Sequence, residues 1–105
     1  MIGRRRITKT FEGDLTGESR GEMLSAAGQV KGSAGYVALE RVEGTLEGRK
    51  GTFVLKHDGS MDRGAPSLEV RVVPDSGTGE LEGLRGRMQI DIVEGKHLFT
   101  FDYEL

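Results

Sequence analysis

Two side chains in this sequence could pass a proton between them, Glu40 and His57. In an apolar setting a carboxylate and an imidazole have their proton affinities shifted by burial and by each other, which is what a general acid/base couple needs. They can meet only if the strands that carry them are neighbours. Tyr36, Ala38 and Glu40 alternate along one segment, and Phe53, Leu55 and His57 along another, so a hairpin of the two brings the pair onto one face. The bland alternative is a pair that satisfies itself inside a core, or a Glu40 that bonds a backbone turn, since structural ion pairs perturb titration as well.

Other candidates surround this pair. His97 opens the last alternating run and is expected at the mouth of the fold, Tyr103 is expected to point inward near the other end, and Glu22 shares parity with Leu24 and Ala26. Tyr36, Phe53, Phe99 and Phe101 supply the apolar surface against which a small ligand would lie. Each has a structural reading too: solvated or capping roles for His97 and Glu22, and a core aromatic with a partnered hydroxyl for Tyr103.

Metal and cofactor motifs fail. Asp58, Ser60, Asp62 and Glu69 fit a calcium-loop count, but Gly64 is one place late and Pro66 interrupts. Two histidines without cysteine make a poor transition-metal site. Gly77-Thr78-Gly79-Glu80-Leu81-Glu82-Gly83 misses the dinucleotide spacing by a residue, and no Gly-x-Ser-x-Gly elbow occurs. Neither a cofactor nor a metal is expected.

The elements that must position these residues are strands. Alternation bounded by glycine and proline predicts strands at Arg4 to Gly13, Glu18 to Ala27, Ala34 to Glu43, Gly51 to Asp58, Ser67 to Pro74, Gly86 to Val93 and Lys96 to Glu104. Asp58-Gly59-Ser60 and Val93-Glu94-Gly95-Lys96 read as tight hairpin turns. The phrase Leu15-Thr16-Gly17 recurs as Leu46-Glu47-Gly48 and Leu81-Glu82-Gly83, each copy opening a strand-like run. Glycine makes up 17 of 105 residues, more than double its usual share of about 7%, and is spread as turns, bulges and corners require. The expected fold is all-β: a single domain over residues 1–105, an antiparallel meander of seven or eight strands closing into a small barrel. Its lumen is assigned to Ile7, Phe11, Leu24, Ala26, Phe53, Leu55, Leu68, Val70, Val72, Met88, Ile90, Ile92, Phe99, Phe101 and Tyr103. The Ala34 to Glu43 strand, partly apolar on both faces, is expected to be covered on both.

Charge narrows the partners. Fifteen basic and 17 acidic residues are interleaved, leaving a net charge of -2 and no field of one sign, which argues against nucleic acid and against an anionic membrane surface. No apolar run approaches the ~20 residues of a membrane helix. Arg4-Arg5-Arg6 lacks the apolar stretch of an export signal, and with cysteine absent the expected compartment is the cytoplasm.

Several runs together resemble a bacterial family, domain of unknown function 3224: Phe11-Glu12-Gly13-Asp14-Leu15, Gly21-Glu22-Met23-Leu24, Ala34 through Val42, Gly51 through His57, Val72 through Leu81, and Phe99-Thr100-Phe101-Asp102-Tyr103. The resemblance implies a barrel similar to allene oxide cyclase and no assigned activity, because a shared fold does not transfer one. Members of that family begin with a further strand upstream of the first one matched here. A seven-stranded sheet keeps an open edge, so the expectation is a homodimer, edge to edge or through Val37 and Leu39. The expected function is binding of a small hydrophobic or amphipathic organic molecule in the lumen, with non-covalent isomerisation or cyclisation as its chemistry. The alternative is a filled barrel that serves only as a structural or interaction module.

Overall fold

The computed structural model of the protein describes residues 2–105, the side chains of Ile92, Lys96 and His97 excepted. Seven antiparallel strands form one sheet in sequence order: β1 (Ile2–Phe11), β2 (Leu15–Ala27), β3 (Ala34–Leu46), β4 (Arg49–Asp62), β5 (Ala65–Val72), β6 (Arg85–Val93) and β7 (Lys96–Glu104). A 3-10 turn, Gly79–Leu81, interrupts the β5–β6 connection. All seven strands begin and end within a few residues of where alternation places them.

The sheet coils because its concave face carries glycine where strands press together. Gly17 faces Gly44 and Gly21 faces Glu40 across the ladders. A Cβ on Gly21 would lie 2.1 Å from the Leu39 carbonyl oxygen and 2.6 Å from the Glu40 Cα. Only a residue without a side chain permits that approach.

Coiling stops short of a barrel, which corrects the expected closure. β1 and β2 pair along the whole of β1, but β5 and β6 pair only at Val70–Met88 and Arg71–Arg87. The β6–β7 hairpin therefore diverges from β5, and no backbone pairing joins β7 to β1 among the described residues. Side chains alone cross that seam, as Phe11 meets the edge of Phe99 at 5.3 Å between ring centroids. The open form shows in a radius of gyration of 14.6 Å, above the ~13 Å of a compact domain this size.

The concave face divides along its length. Toward one end Phe11, Leu15, Val42, Leu46, Phe53, Leu55, Val70, Val72 and Met88 form a dry core. Leu81 and Leu84, wholly buried, stopper it. The Val73 to Glu80 segment also covers the edge of β4 that β5 leaves unpaired: the Thr78 amide donates to the Thr52 carbonyl at 2.8 Å, and the Val54 amide to Ser76 Oγ at 3.0 Å. Toward the other end the same files of inward residues continue, but no described side chain fills the space between them.

Four local expectations are corrected. The β4–β5 turn is Arg63-Gly64, both at positive φ, and Gly59 is instead a buried strand residue beneath the Tyr36 ring, where a Cβ would sit 2.1 Å from Cε1. The three Leu-x-Gly phrases occupy different places: Leu15 opens β2, Glu47-Gly48 turns β3 into β4, and Leu81 ends the 3-10 turn. On β2 the inward file is Leu15, Ser19 and Met23, while Leu24 lies opposite Val37 and faces out with it. Met23-Leu24-Ser25-Ala26-Ala27 is apolar in both registers, so parity could not choose between them. Finally, Val37 and Leu39 are 48% and 55% exposed, so the outer face of β3 is not covered.

Candidate functional site

Four neighbouring strands send one polar side chain each to the boundary between the dry core and the open half of the concave face. Glu40 on β3 and His57 on β4 sit in adjacent rungs, because Ala38 pairs with His57 and Glu40 with Leu55. Ser19 on β2 and Lys9 on β1 face each other in the β1–β2 ladder. His57 Nε2 lies 2.6 Å from Glu40 Oε1, and Ser19 Oγ donates to Glu40 Oε2 at 2.7 Å. Lys9 Nζ donates to the same Oε1 at 3.4 Å.

Exposure orders the cluster. Glu40, Ser19 and His57 are buried, while the Lys9 side chain is 30% exposed. Burial of a carboxylate by itself pushes its pKa up. Here the hydrogen bonds from His57 and Ser19, with the charge of Lys9, outweigh that penalty and hold the Glu40 carboxyl below its ordinary value. Glu40 is therefore an anion at neutral pH, with both oxygens occupied by donors. No buried side-chain nitrogen or oxygen among the described residues lacks a partner.

Above this cluster opens a cleft of about 900 Å³. Ile7, Met23, Tyr36, Ala38, Leu68, Ile90 and Phe99 line it with apolar surface, and Lys9 and His57 supply polar groups. Pro66, Thr10 and Asp91 complete the lining, the last two from exposed positions on β1 and β6. Burial raises the Tyr36 hydroxyl pKa. His57 gives Nε2 to Glu40, so Nδ1 is the ring nitrogen that the carboxylate does not engage. In the neutral form of an imidazole whose Nε2 donates, Nδ1 is the proton acceptor.

Of the residues singled out in sequence, Glu40 and His57 are in hydrogen-bond contact, and Tyr36 and Phe99 line the cleft above them. Phe53 and Phe101 stack in the dry half at 5.9 Å, and Tyr103 packs on Phe101 at 5.3 Å. The Tyr103 hydroxyl meets Glu47 at the β3–β4 turn, which raises its pKa. Glu22 is ion-paired with Arg4 and lies opposite Leu39 in the β2–β3 ladder, so it faces outward with Leu39. The His97 side chain lies outside the described residues. Asp58 and Glu69 stand opposite each other in the β4–β5 ladder rather than around a loop, and among the described residues no three His, Cys, Asp or Glu side chains gather as a metal cluster.

Sequence reasoning missed Lys9 and Ser19. Each carried a signal: Lys9 stands between Ile7 and Phe11 in the inward file of β1, and Ser19 between Leu15 and Met23 in that of β2. A lone polar residue in an apolar file requires a buried partner.

No helix among the described residues is long and apolar enough to cross a membrane. No curated protein shows significant similarity to the chain. Among solved structures, a crystal structure of a protein of unknown function from Shewanella oneidensis MR-1, of the DUF3224 family, superposes with a TM-score of 0.93. The two sequences are 54% identical, over 97% of this chain and 76% of that one. The sequence matches the family described as Protein of unknown function (DUF3224) over residues 1–103, and the chain belongs to that family.

Proposed function

We propose that the concave face binds a small amphipathic organic molecule in the cleft above Glu40 and His57. One observation carries the reading: an open space of about 900 Å³ whose walls are apolar and whose floor is a polar cluster built on the buried, fully paired Glu40 carboxylate. Ligand sites commonly measure some 300–1,000 Å³ and combine apolar walls with a few fixed polar groups. The filled half of the sheet acts as the scaffold, and the open half as the site. Proton transfer through His57, backed by the Glu40 carboxylate, is the chemistry such a site adds, and a non-covalent isomerisation or cyclisation of the bound molecule would rest on it.

Native mass spectrometry of the protein purified from its host tests the reading. A retained organic molecule is expected on the 11.4 kDa chain, lost in Leu68→Trp, which fills the cleft from its half-exposed wall. Protein that carries nothing, and that binds the neutral dye Nile red no better than Leu68→Trp does, would overturn it.

A second reading concerns assembly. The outer edges of β1 and β7 have no backbone partner among the described residues, and an unpaired edge is a template for another chain. We propose a homodimer formed at these edges, with Arg4-Arg5-Arg6 limiting further growth.

A further inference from the structure

Lys9 makes the charge arrangement at the cleft floor unusual. Two donors, Lys9 Nζ and His57 Nε2, converge on one oxygen of Glu40, and Ser19 takes the other. Glu40 is thereby saturated. Lys9 is held at 3.4 Å, a long bond that uses one of its three N–H donors, and its remaining donors belong to a side chain that lines the cleft beside His57. A ligand oxygen placed there meets a cation on one side and a proton acceptor, His57 Nδ1, on the other.

We infer that the cleft takes a conjugated hydroxyl compound, a phenol or an enol, and binds it as the oxyanion, with Lys9 as the residue that stabilises the charge. This rests on the ligand-cleft reading above. The ligand O–H bond breaks, its electron pair stays on oxygen, and the proton goes to His57 Nδ1. Nε2–H remains on Glu40, whose negative charge stabilises the imidazolium. The ligand oxyanion pairs with Lys9. The net charge of the site does not change: Lys9 and Glu40 balance before the transfer, and the imidazolium and the oxyanion balance each other after it. Conjugation is required because only a delocalised oxyanion is stable enough to be held in this way, and its planar body fits between Tyr36, Leu68 and Phe99. Asp91, the remaining charged group of the lining among the described residues, is exposed on β6, where solvent screens it.

The test uses 4-nitrophenol, whose absorption band reports its ionisation, beside 4-nitroanisole, which has the same ring and no acidic proton. Each is titrated with the intact protein at a pH where free 4-nitrophenol is mainly protonated. The expected result is a shift to the phenolate band on binding, corresponding to ionisation favoured at least about tenfold, one pKa unit, over the free phenol. Lys9→Met should abolish the shift and Lys9→Arg should keep most of it; both substitute a partly exposed side chain, and circular dichroism checks their fold. Binding of 4-nitrophenol in its neutral form, or a phenolate shift unchanged in Lys9→Met, would overturn the inference and leave the cleft reading standing. Failure of 4-nitrophenol, 4-nitroanisole and Nile red alike to bind would overturn both.

Discussion

Replacing Glu40 by glutamine tests whether the buried carboxylate holds four strands together. The side chain keeps its shape and loses its charge and one acceptor oxygen. Two of its three bonds have a nitrogen donor, from His57 and Lys9, and the third comes from the Ser19 hydroxyl. A hydrogen bond to a charged group contributes about 1.5–3 kcal/mol and a neutral one about 0.5–1.5 kcal/mol, so neutralising the acceptor costs roughly 1 kcal/mol per bond. The long Lys9 bond contributes least, and Ser19 can turn its hydroxyl to accept from the new amide. The expected loss is therefore about 2 kcal/mol at neutral pH. Its pH dependence has a defined sign. The folded-state pKa of Glu40 lies below the ordinary value of 4.5, so the unfolded chain binds the proton more readily and the ionised carboxylate stabilises the fold above that value. That contribution is lost as pH falls through the folded-state pKa, and glutamine never had it. The gap between wild type and Glu40→Gln should thus be widest at neutral pH and shrink in acid. Urea unfolding followed by circular dichroism measures the gap, from pH 7 down to the lowest pH at which the native baseline survives. A difference below about 0.5 kcal/mol at pH 7, the scale of an ordinary surface substitution, would refute the account. So would a gap that does not narrow in acid.

Three further outcomes follow from the geometry. Gly21→Ala should cost at least about 1–3 kcal/mol in chemical denaturation, because its Cβ would fall 2.1 Å from a backbone oxygen and force β2 away from Glu40. Leu81→Ala should cost about 2–5 kcal/mol, a value set by the cavity it opens under the stoppered end of the core, although Leu81 lies in what reads as a loop. Sedimentation equilibrium at micromolar concentration should give twice the 11.4 kDa chain mass, and a mass of one chain would remove the edge-pairing proposal.

Parity along a strand carries information about faces, and most of the fold's legibility comes from there. Glu40 and His57 could be brought together from sequence because Tyr36-Val37-Ala38-Leu39-Glu40 and Phe53-Val54-Leu55-Lys56-His57 each offer a file in which the inward choice is forced or shared. The β2 run Met23 to Ala27 offers no such choice, and there the assignment inverted, carrying Glu22 to the wrong face. Closure is a different kind of property. It depends on how many rungs join β5 to β6, and two rungs instead of a full ladder follow from where the Val73 to Leu84 segment turns back over β4, a long-range contact with no period of its own. Leu81 and Leu84 were illegible for the same reason: two leucines in a glycine-rich connection announce a core stopper only once the edge they cover is known. The position of the site follows from this. The stopper fills one end of the concave face and the splayed hairpin leaves the other open, so the border between them crosses β1 to β4 at Lys9, Ser19, Glu40 and His57. A polar cluster is stable at that border because its carboxylate is fully satisfied from the protein side, while Lys9 and His57 still reach the open side.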